Sequence, residues 1–591
     1  MKRKINILLT MALGAALCTS CMDSYETLPA DEFTWDYLFS PTDSAGTQSR
    51  QLLNSIYAVM ESGHNRVGGD YLDASTDDAI SSYADTDPDV TRIFKGSYTA
   101  SNRVSSDMQW DNYYAGIRKV NILLGGIDRV PFRLTYVNAK GETRPLGVSM
   151  KAEARFLRAW FYFQLMRRYG GVPIVGDKVF GLNDDLQLPR NTFKECVDYV
   201  VGELDAIQDS LRPMPIVNPS EYAHVASKQV CQALKSRVLL YAASPLFNGK
   251  TLEQGNELVG YKDYDPERWK LAADAARDII ESVGHKGSED IILTEDVRDV
   301  FLNFYSYGAN PELIFFRQNG KGTSIESANG PLGFTGTNLG HGHTCPTQNL
   351  VDAFPMLDGR PITDTSADRT YKYDEQNPYA NRDPRLDKTI LHNGSKWLGT
   401  TLATWQGGDN NPSNVSTYSK TSYYMCKFMG KFADATSYSE HTYLWVMFRY
   451  AEILLNFAEA ENEYLDAPSK EVYDAIRLLR QRAGIKAGKA GCRYGLPDGM
   501  TKEEMRKVIQ NERRIELAFE EHRFYDIRRW RIAEEAFAKP LQGMNITVGS
   551  GQTVYTRVDL MSTNFSPKYY LYPIPYSEVN KNENMKQNPN W

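Results

Sequence analysis

The chain has 591 residues, of which 42% are hydrophobic, 12% aromatic and 24% charged. At about 150 residues per domain this is roughly four domains or one large core, and the aromatic content excludes a disordered or low-complexity chain. A net charge of −7 removes the simplest electrostatic case for nucleic-acid binding, and a mean hydropathy of −0.47 excludes a polytopic membrane protein.

Lys2, Arg3 and Lys4 precede an apolar run from Ile5 to Leu17, broken only by Asn6, Thr10 and Gly14. This run falls short of the roughly 20 residues a bilayer span needs and fits the core of an export signal over residues 1–20. Thr19-Ser20-Cys21 resembles a bacterial lipobox, with Cys18 where an aliphatic residue is usual. In that reading Cys21 is lipidated and becomes the mature N-terminus, and more than one acyl chain makes the anchor firm. The alternative is an ordinary secretory signal cleaved near the same place; both export the chain. Cys196, Cys231, Cys345, Cys426 and Cys492 follow at wide spacing and form no C-x-x-C pair, which argues against a zinc or redox framework. Cys196 and Cys231 read as small core hydrophobes.

Apolar groups at three- and four-residue spacing predict helices over 47–62, 107–127 and 148–169, the last stopped by Gly170-Gly171 and Pro173. Tyr113, Ile117, Val120 and Leu124 form one stripe of the second helix. Further helices are predicted over 192–211, 226–243, 265–283, 441–465, 470–483 and 501–521, several in pairs joined by short turns. Residues 284–440 differ in texture, being rich in Gly, Asn, Thr, Ser and aromatics; residues 64–105 are polar and aspartate-rich. Long loops of this kind carry function or mobility. The expected organisation is a leader over 1–20, a helical region over 21–283, and a region over 284–591 made of a loop-rich insert, 284–440, and helices over 441–530.

Catalytic signatures are missing: there is no phosphate-binding loop, nucleophile elbow, H-E-x-x-H or EF-hand loop. His341-Gly342-His343 with Cys345 reads as a glycine-rich loop rather than a metal site, and no cofactor or metal is expected. Asp70, Asp73, Asp77 and Asp78 lack the ladder of a calcium loop and read as solvated or hydrogen-bonding loop acids. The charges from Glu512 to Arg523 read as a salt-bridged helix face.

Blocks of sequence resemble the RagB/SusD family. These are Ala152–Ala159 with Tyr162, Arg168-Tyr169-Gly170-Gly171-Val172-Pro173, Leu188-Pro189-Arg190, and the run Ala233–Asn248. Pro346-Thr347-Gln348, Asp358-Gly359, Asn377-Pro378-Tyr379, Arg382–Leu386, Arg449–Leu455, Glu512–Glu520, Arg523–Trp530 and the ending Gln587–Trp591 continue it in order. The resemblance runs from Cys21 to Trp591. It implies a mostly α fold of tetratricopeptide-like helix pairs packed against a loop-rich, ligand-binding half. It further implies a surface-exposed outer-membrane lipoprotein that does no chemistry, captures oligosaccharide or polysaccharide and hands it to a SusC-like TonB-dependent barrel. The matching blocks are scaffold and carry over no ligand residues.

Sugar rings stack their C–H faces on Trp and Tyr and offer hydroxyls to Asp, Asn, Gln and Arg. Candidates therefore belong in polar loops. Trp405 and Trp397 are the leading platforms, followed by Tyr71, Tyr83, Tyr307 and Tyr418, with Asp73, Asp77, Asp78, Asn338, Gln406 and Asp409 as polar partners. Trp160, Trp445 and Trp530 fall in helical patterns and are assigned to the core. An exported glycan hydrolase, which product release would reveal, and a surface adhesion or scaffold lipoprotein binding protein or peptide are the alternatives.

Overall fold

The computed structural model describes residues 34–214, 224–283, 293–302, 310–412 and 419–591. Cys21, Tyr307 and Tyr418 lie outside the described residues.

Helices form the scaffold. Trp110–Gly126 packs on Leu146–Tyr169, which packs on Phe193–Ile207, and the series continues through Lys228–Ala243 and Glu267–Val283. Glu267–Val283 then receives Tyr450–Tyr464, which carries Lys470–Ala483 and Lys502–Glu516. The loop-rich stretch thus interrupts a stack whose two parts close on each other. Thr192 and Thr501 start their helices with capping boxes, each bonding back from a glutamate three residues on, at Glu195 and Glu504. Gly170 ends the Leu146–Tyr169 helix at φ +78°, where an added Cβ would stand 2.4 Å from the Leu258 carbonyl oxygen. That helix is buried on nearly every side, from Met150 to Tyr169, as a central element must be.

The prediction for 441–465 is corrected. His441–Arg449 is a strand paired antiparallel with Leu313–Gly322, and the helix begins only at Tyr450. Trp445 is therefore a strand residue, though still buried; Trp160 and Trp530 are buried helix-associated residues. The prediction for 501–521 is also too long. The helix ends at Glu516, a turn with Phe519 and Glu521 at positive φ follows, and a second helix spans His522–Arg529.

The charges of this segment do not form a salt-bridged surface face. Glu512, Arg513, Glu516 and Glu520 are buried and reach other parts of the chain. Arg449 donates to Glu312 at 2.6 Å and to Glu516 and Glu520 at 2.8 Å. Arg385 bonds Glu516 at 2.9 Å, Arg480 bonds Glu512 at 2.8 Å, Lys427 bonds Glu520 at 2.7 Å, and Arg482 bonds Glu516. Burial opposes ionisation of Glu516, but Arg482, Arg449 and Arg385 together hold it well below the usual carboxylate range. The loop-rich half is thus pinned to the helices by charge pairs withdrawn from water.

Candidate functional site

Trp397, Tyr71, Asp73, Asp77 and Asp78 are core residues, which corrects their assignment as loop contacts. Trp397 is 1% exposed; its Nε1 donates to the Tyr438 hydroxyl at 3.1 Å, and Phe432 packs edge-on against it. Tyr71 is fully buried, stacked on Phe428 at 5.3 Å, with its hydroxyl 2.8 Å from His64 Nδ1. The acids are not solvated. Arg523 donates to Asp77 at 2.8 Å, and Arg514 bridges Asp77 at 2.9 Å and Asp78 at 2.6 Å. Burial raises both carboxyls; at Asp77 the two guanidiniums outweigh it and hold the group at about 2, while Asp78 stays raised. Asp73 accepts the Phe519 amide at 3.1 Å, and burial, then the charge of Asp78, push it well up. Buried Asp70 accepts from the Thr344 hydroxyl at 2.8 Å, and burial lifts it to about 7. A sugar cannot reach these groups without unpacking the loop that holds them.

The remaining candidates, Tyr83, Asn338, Trp405, Gln406 and Asp409, stand on loops that contact one another. Ala79–Ser81 pairs with Thr344–Pro346, which places Tyr83 edge-on to His343 with ring centroids 5.0 Å apart. From His343 the loop 330–343 runs back to the 403–411 turn, where Asn410 Nδ2 donates to the Leu332 carbonyl at 2.8 Å. Gly333, at φ +91°, lets the two backbones meet: a Cβ there would stand 2.1 Å from the Asp409 carbonyl oxygen. The Leu541–Gly549/Gln552–Met561 hairpin closes the other side, the Ile546 carbonyl accepting the Gln406 amide at 2.9 Å.

Trp405 stands in this turn, half-buried, one side of its ring packed on the core and its indole N–H without a partner among the described residues. Gln406 and Asp409 beside it are exposed, and neither side chain has a partner among the described residues. Tyr83 is half-buried, and its hydroxyl likewise has no described partner. Asn338 has a different role. Its side chain donates to the Thr436 carbonyl at 3.1 Å and accepts the Tyr438 amide at 3.0 Å, latching loop 336–338 to the segment that packs on Trp397. Sequence reasoning missed His343, which the histidine pair at 341 and 343 offered only as a metal motif. It also missed Phe334, half-buried in the same loop. Cys345 is buried, directed at the Gly342 carbonyl, and does not join the histidines.

Such a face can bind without doing chemistry: an aromatic ring for an apolar sugar face, an amide and a carboxylate for hydroxyls. Cavities of about 870, 670 and 440 Å³ lie elsewhere. The first is among helices around Trp269 and Trp530; the others lie along residues 317–320.

Residues 311–591 match the model of the SusD family, and residues 37–240 match a model described as starch-binding and associating with the outer membrane. SusD-like protein P38 of Formosa agariphila is 22% identical over 557 residues, covering 92% of this chain and 94% of that protein. SusD-like protein P2 of the same organism is 23% identical over 449 residues, 74% of this chain and 73% of its own. Among solved structures, a SusD-like protein from Bacteroides fragilis superposes with a TM-score of 0.74 at 25% identity, over 95% of this chain and 100% of that one. A laminarin-binding SusD-like protein gives a TM-score of 0.59 at 18% identity, over 92% and 99%. Matched by family models over most of its length, and mostly helical like these neighbours, the chain belongs to the SusD/RagB family.

Proposed function

We propose that this protein captures glycan at the outer surface of the cell and passes it to a SusC-like TonB-dependent outer-membrane barrel, itself performing no bond-breaking step. The observation that carries the reading is Trp405: a loop indole packed against the core yet only partly buried, flanked by exposed Gln406 and Asp409, whose side chains have no partner among the described residues. Tyr83, packed edge-on against His343 at the end of the 330–343 loop, is the second aromatic of this reading. Family membership supports the ligand class, and a carbohydrate-binding SusD-like protein of Bacteroides fragilis shares the fold, with a TM-score of 0.67. Cys21, as the lipidated residue of the lipobox, would hold the chain to the membrane. The acid cluster gives the hydrolase reading no support, because Asp77 and Asp78 are committed to arginines.

A panel of neutral oligosaccharides, including maltoheptaose and laminarihexaose, titrated into the mature chain tests the reading. Saturable binding with no new reducing ends is expected. Product release, or failure of every glycan to bind, refutes it.

A further inference from the structure

Among the described residues the Leu313–Gly322 strand pairs along one edge, with His441–Arg449. Its first residues are core, but beyond Phe316 the chain leaves the interior: Arg317 and Asn319 are half-buried, Gln318 and Gly320 exposed. Opposite this segment run the end of the Thr47–Tyr57 helix and residues 58–62. Between them lies the cleft of about 670 Å³, with Asn112 and Lys119 of the Trp110–Gly126 helix also in its wall. Ala58 and residues 317–320 belong also to the neighbouring cavity of about 440 Å³, walled by Tyr57, Phe315 and Phe316.

Two cations in this cleft form no ion pair among the described residues. Arg317 makes one hydrogen bond, to the Ala58 carbonyl at 3.3 Å, and no carboxylate lies within 4.0 Å of it among the described residues. The Lys119 side chain makes neither a hydrogen bond nor an ion pair among the described residues. Asn319 donates to the Ser62 hydroxyl at 3.0 Å, while its Oδ1 is buried without a partner. Among the described residues the one acid facing the cleft is Glu61, 3.7 Å from Arg66, which also donates to Asp107 at 2.7 Å, to the Ser106 carbonyl at 2.8 Å and to Glu521 at 2.9 Å. Glu61 and Arg66 also wall a narrow polar pocket of about 50 Å³, where Gln164, 3% exposed, leaves its Nε2 without a partner.

Arg317 is half-buried and feels Glu61 only from beyond ion-pair distance, so burial outweighs that charge and lowers its pKa, leaving part of its desolvation cost uncompensated. An anionic group arriving in the cleft would meet charge-assisted donors from Arg317 and Lys119, while Ser62, Asn112, Gln318 and Asn319 suit hydroxyls. The protein as a whole carries −7, so bulk charge does not draw acidic ligands and the attraction must be local. We infer that this cleft is a second saccharide site, separate from the Trp405 face, that takes a sugar bearing a carboxylate or a sulfate ester, with Arg317 and Lys119 holding the anion. The inference rests on the reading of the protein as a glycan binder.

The test titrates the mature protein with tetragalacturonate and with a sulfated carrageenan tetrasaccharide, using maltotetraose as the uncharged comparator, at low and high salt. At least one acidic probe is expected to bind, with affinity that falls as salt rises. Arg317→Gln combined with Lys119→Gln should weaken it at least tenfold without shifting the melting temperature. Lys119→Gln alone, on a side chain with no bond among the described residues, keeps the test valid if the double variant folds poorly. Comparison of the two probes tells a carboxylate site from a sulfate site. The inference is overturned if neither acidic probe binds, or if the one that binds does so equally well in the variants. Should the acidic probe lose affinity with Trp405→Ala and not with the cleft variants, the cleft inference fails while the glycan reading stands.

Discussion

Trp397 and Trp405 stand eight residues apart in one polar, glycine-rich stretch, yet their truncations should have opposite consequences. Trp397 is 1% exposed. A buried indole removes about 200 Å² from water, worth roughly 5 kcal/mol at about 25 cal/mol per Å². Alanine retains a part of that, while the Tyr438 hydroxyl loses the Nε1 donor now 3.1 Å away, a loss of about 1 kcal/mol. Trp397→Ala should therefore cost about 3–5 kcal/mol of stability, the range for large-to-small core changes. Glycan affinity should persist wherever the fold does. Trp405 is half-buried and its indole N–H has no partner among the described residues, so Trp405→Ala should cost only about 1 kcal/mol of stability. Its loss should appear in binding, at about 1–3 kcal/mol, which is roughly 5- to 150-fold in Kd. Urea midpoints and calorimetric titration with a bound oligosaccharide of the neutral panel separate the two. If Trp405→Ala lowers the midpoint as far as Trp397→Ala does and binds at full affinity, the loop face is not the platform.

Replacing Cys21 with Ala should move the protein from the membrane fraction to the soluble one in cells lacking the barrel partner; continued sedimentation with the outer membrane would sink the lipobox reading. Stability should fall steeply in acid. Asp77, at about 2 in the fold and about 3.9 unfolded, has a depressed pKa, so its contribution of roughly 2 kcal/mol is complete above pH 4 and is lost between about pH 4 and 2. Burial opposes the charge of Asp107, but Arg168 and Arg66 outweigh it and act in the same direction. Asp70 works oppositely: raised to about 7 by burial, it withdraws stability as pH climbs from about 4 to 7. Urea midpoints across pH 2–8 for wild type and Asp77→Asn check this; an acid limb unchanged by the substitution would contradict the assignment.

How much of this was legible in the sequence depended on the range of the interactions. The stripe Tyr113, Ile117, Val120 and Leu124 and the Gly170 stop are local signals, and both emerge as read. The apolar run Tyr443–Phe448 was not decidable locally, since a continuous run of that length suits a buried strand as well as a helix. The Leu313–Gly322 strand, more than 100 residues away, settles it. Asp73, Asp77 and Asp78 look solvated beside their sequence neighbours because their partners, Phe519, Arg514 and Arg523, follow more than 400 residues later. Trp397 and Trp405 have the same local composition; the distant Phe432 and Tyr438 make one of them core.

The same separation explains why the fold is easier to recognise than the ligand. The blocks that carry the family resemblance are rich in charged residues: Arg382, Asp383 and Arg385, then Arg449 and Glu452, then Glu512 to Arg529. Here nearly all of them are buried and bonded to one another or to backbone carbonyls, as in Arg385 to Asp383 at 2.7 Å and Arg237 to Glu452 at 2.6 Å. A buried ion pair adds little net stability compared with well-packed apolar residues, but removing one partner costs about 3–5 kcal/mol by stranding the other. Each member therefore constrains the next, and the blocks can change only together. Trp405, Gln406, Asp409 and Tyr83 have no such partners among the described residues, so nothing in the scaffold fixes their identity. The charged blocks specify how the loop-rich half seats on the helices; the loops between them, free of that network, are where ligand selection can be rewritten without unfolding the chain.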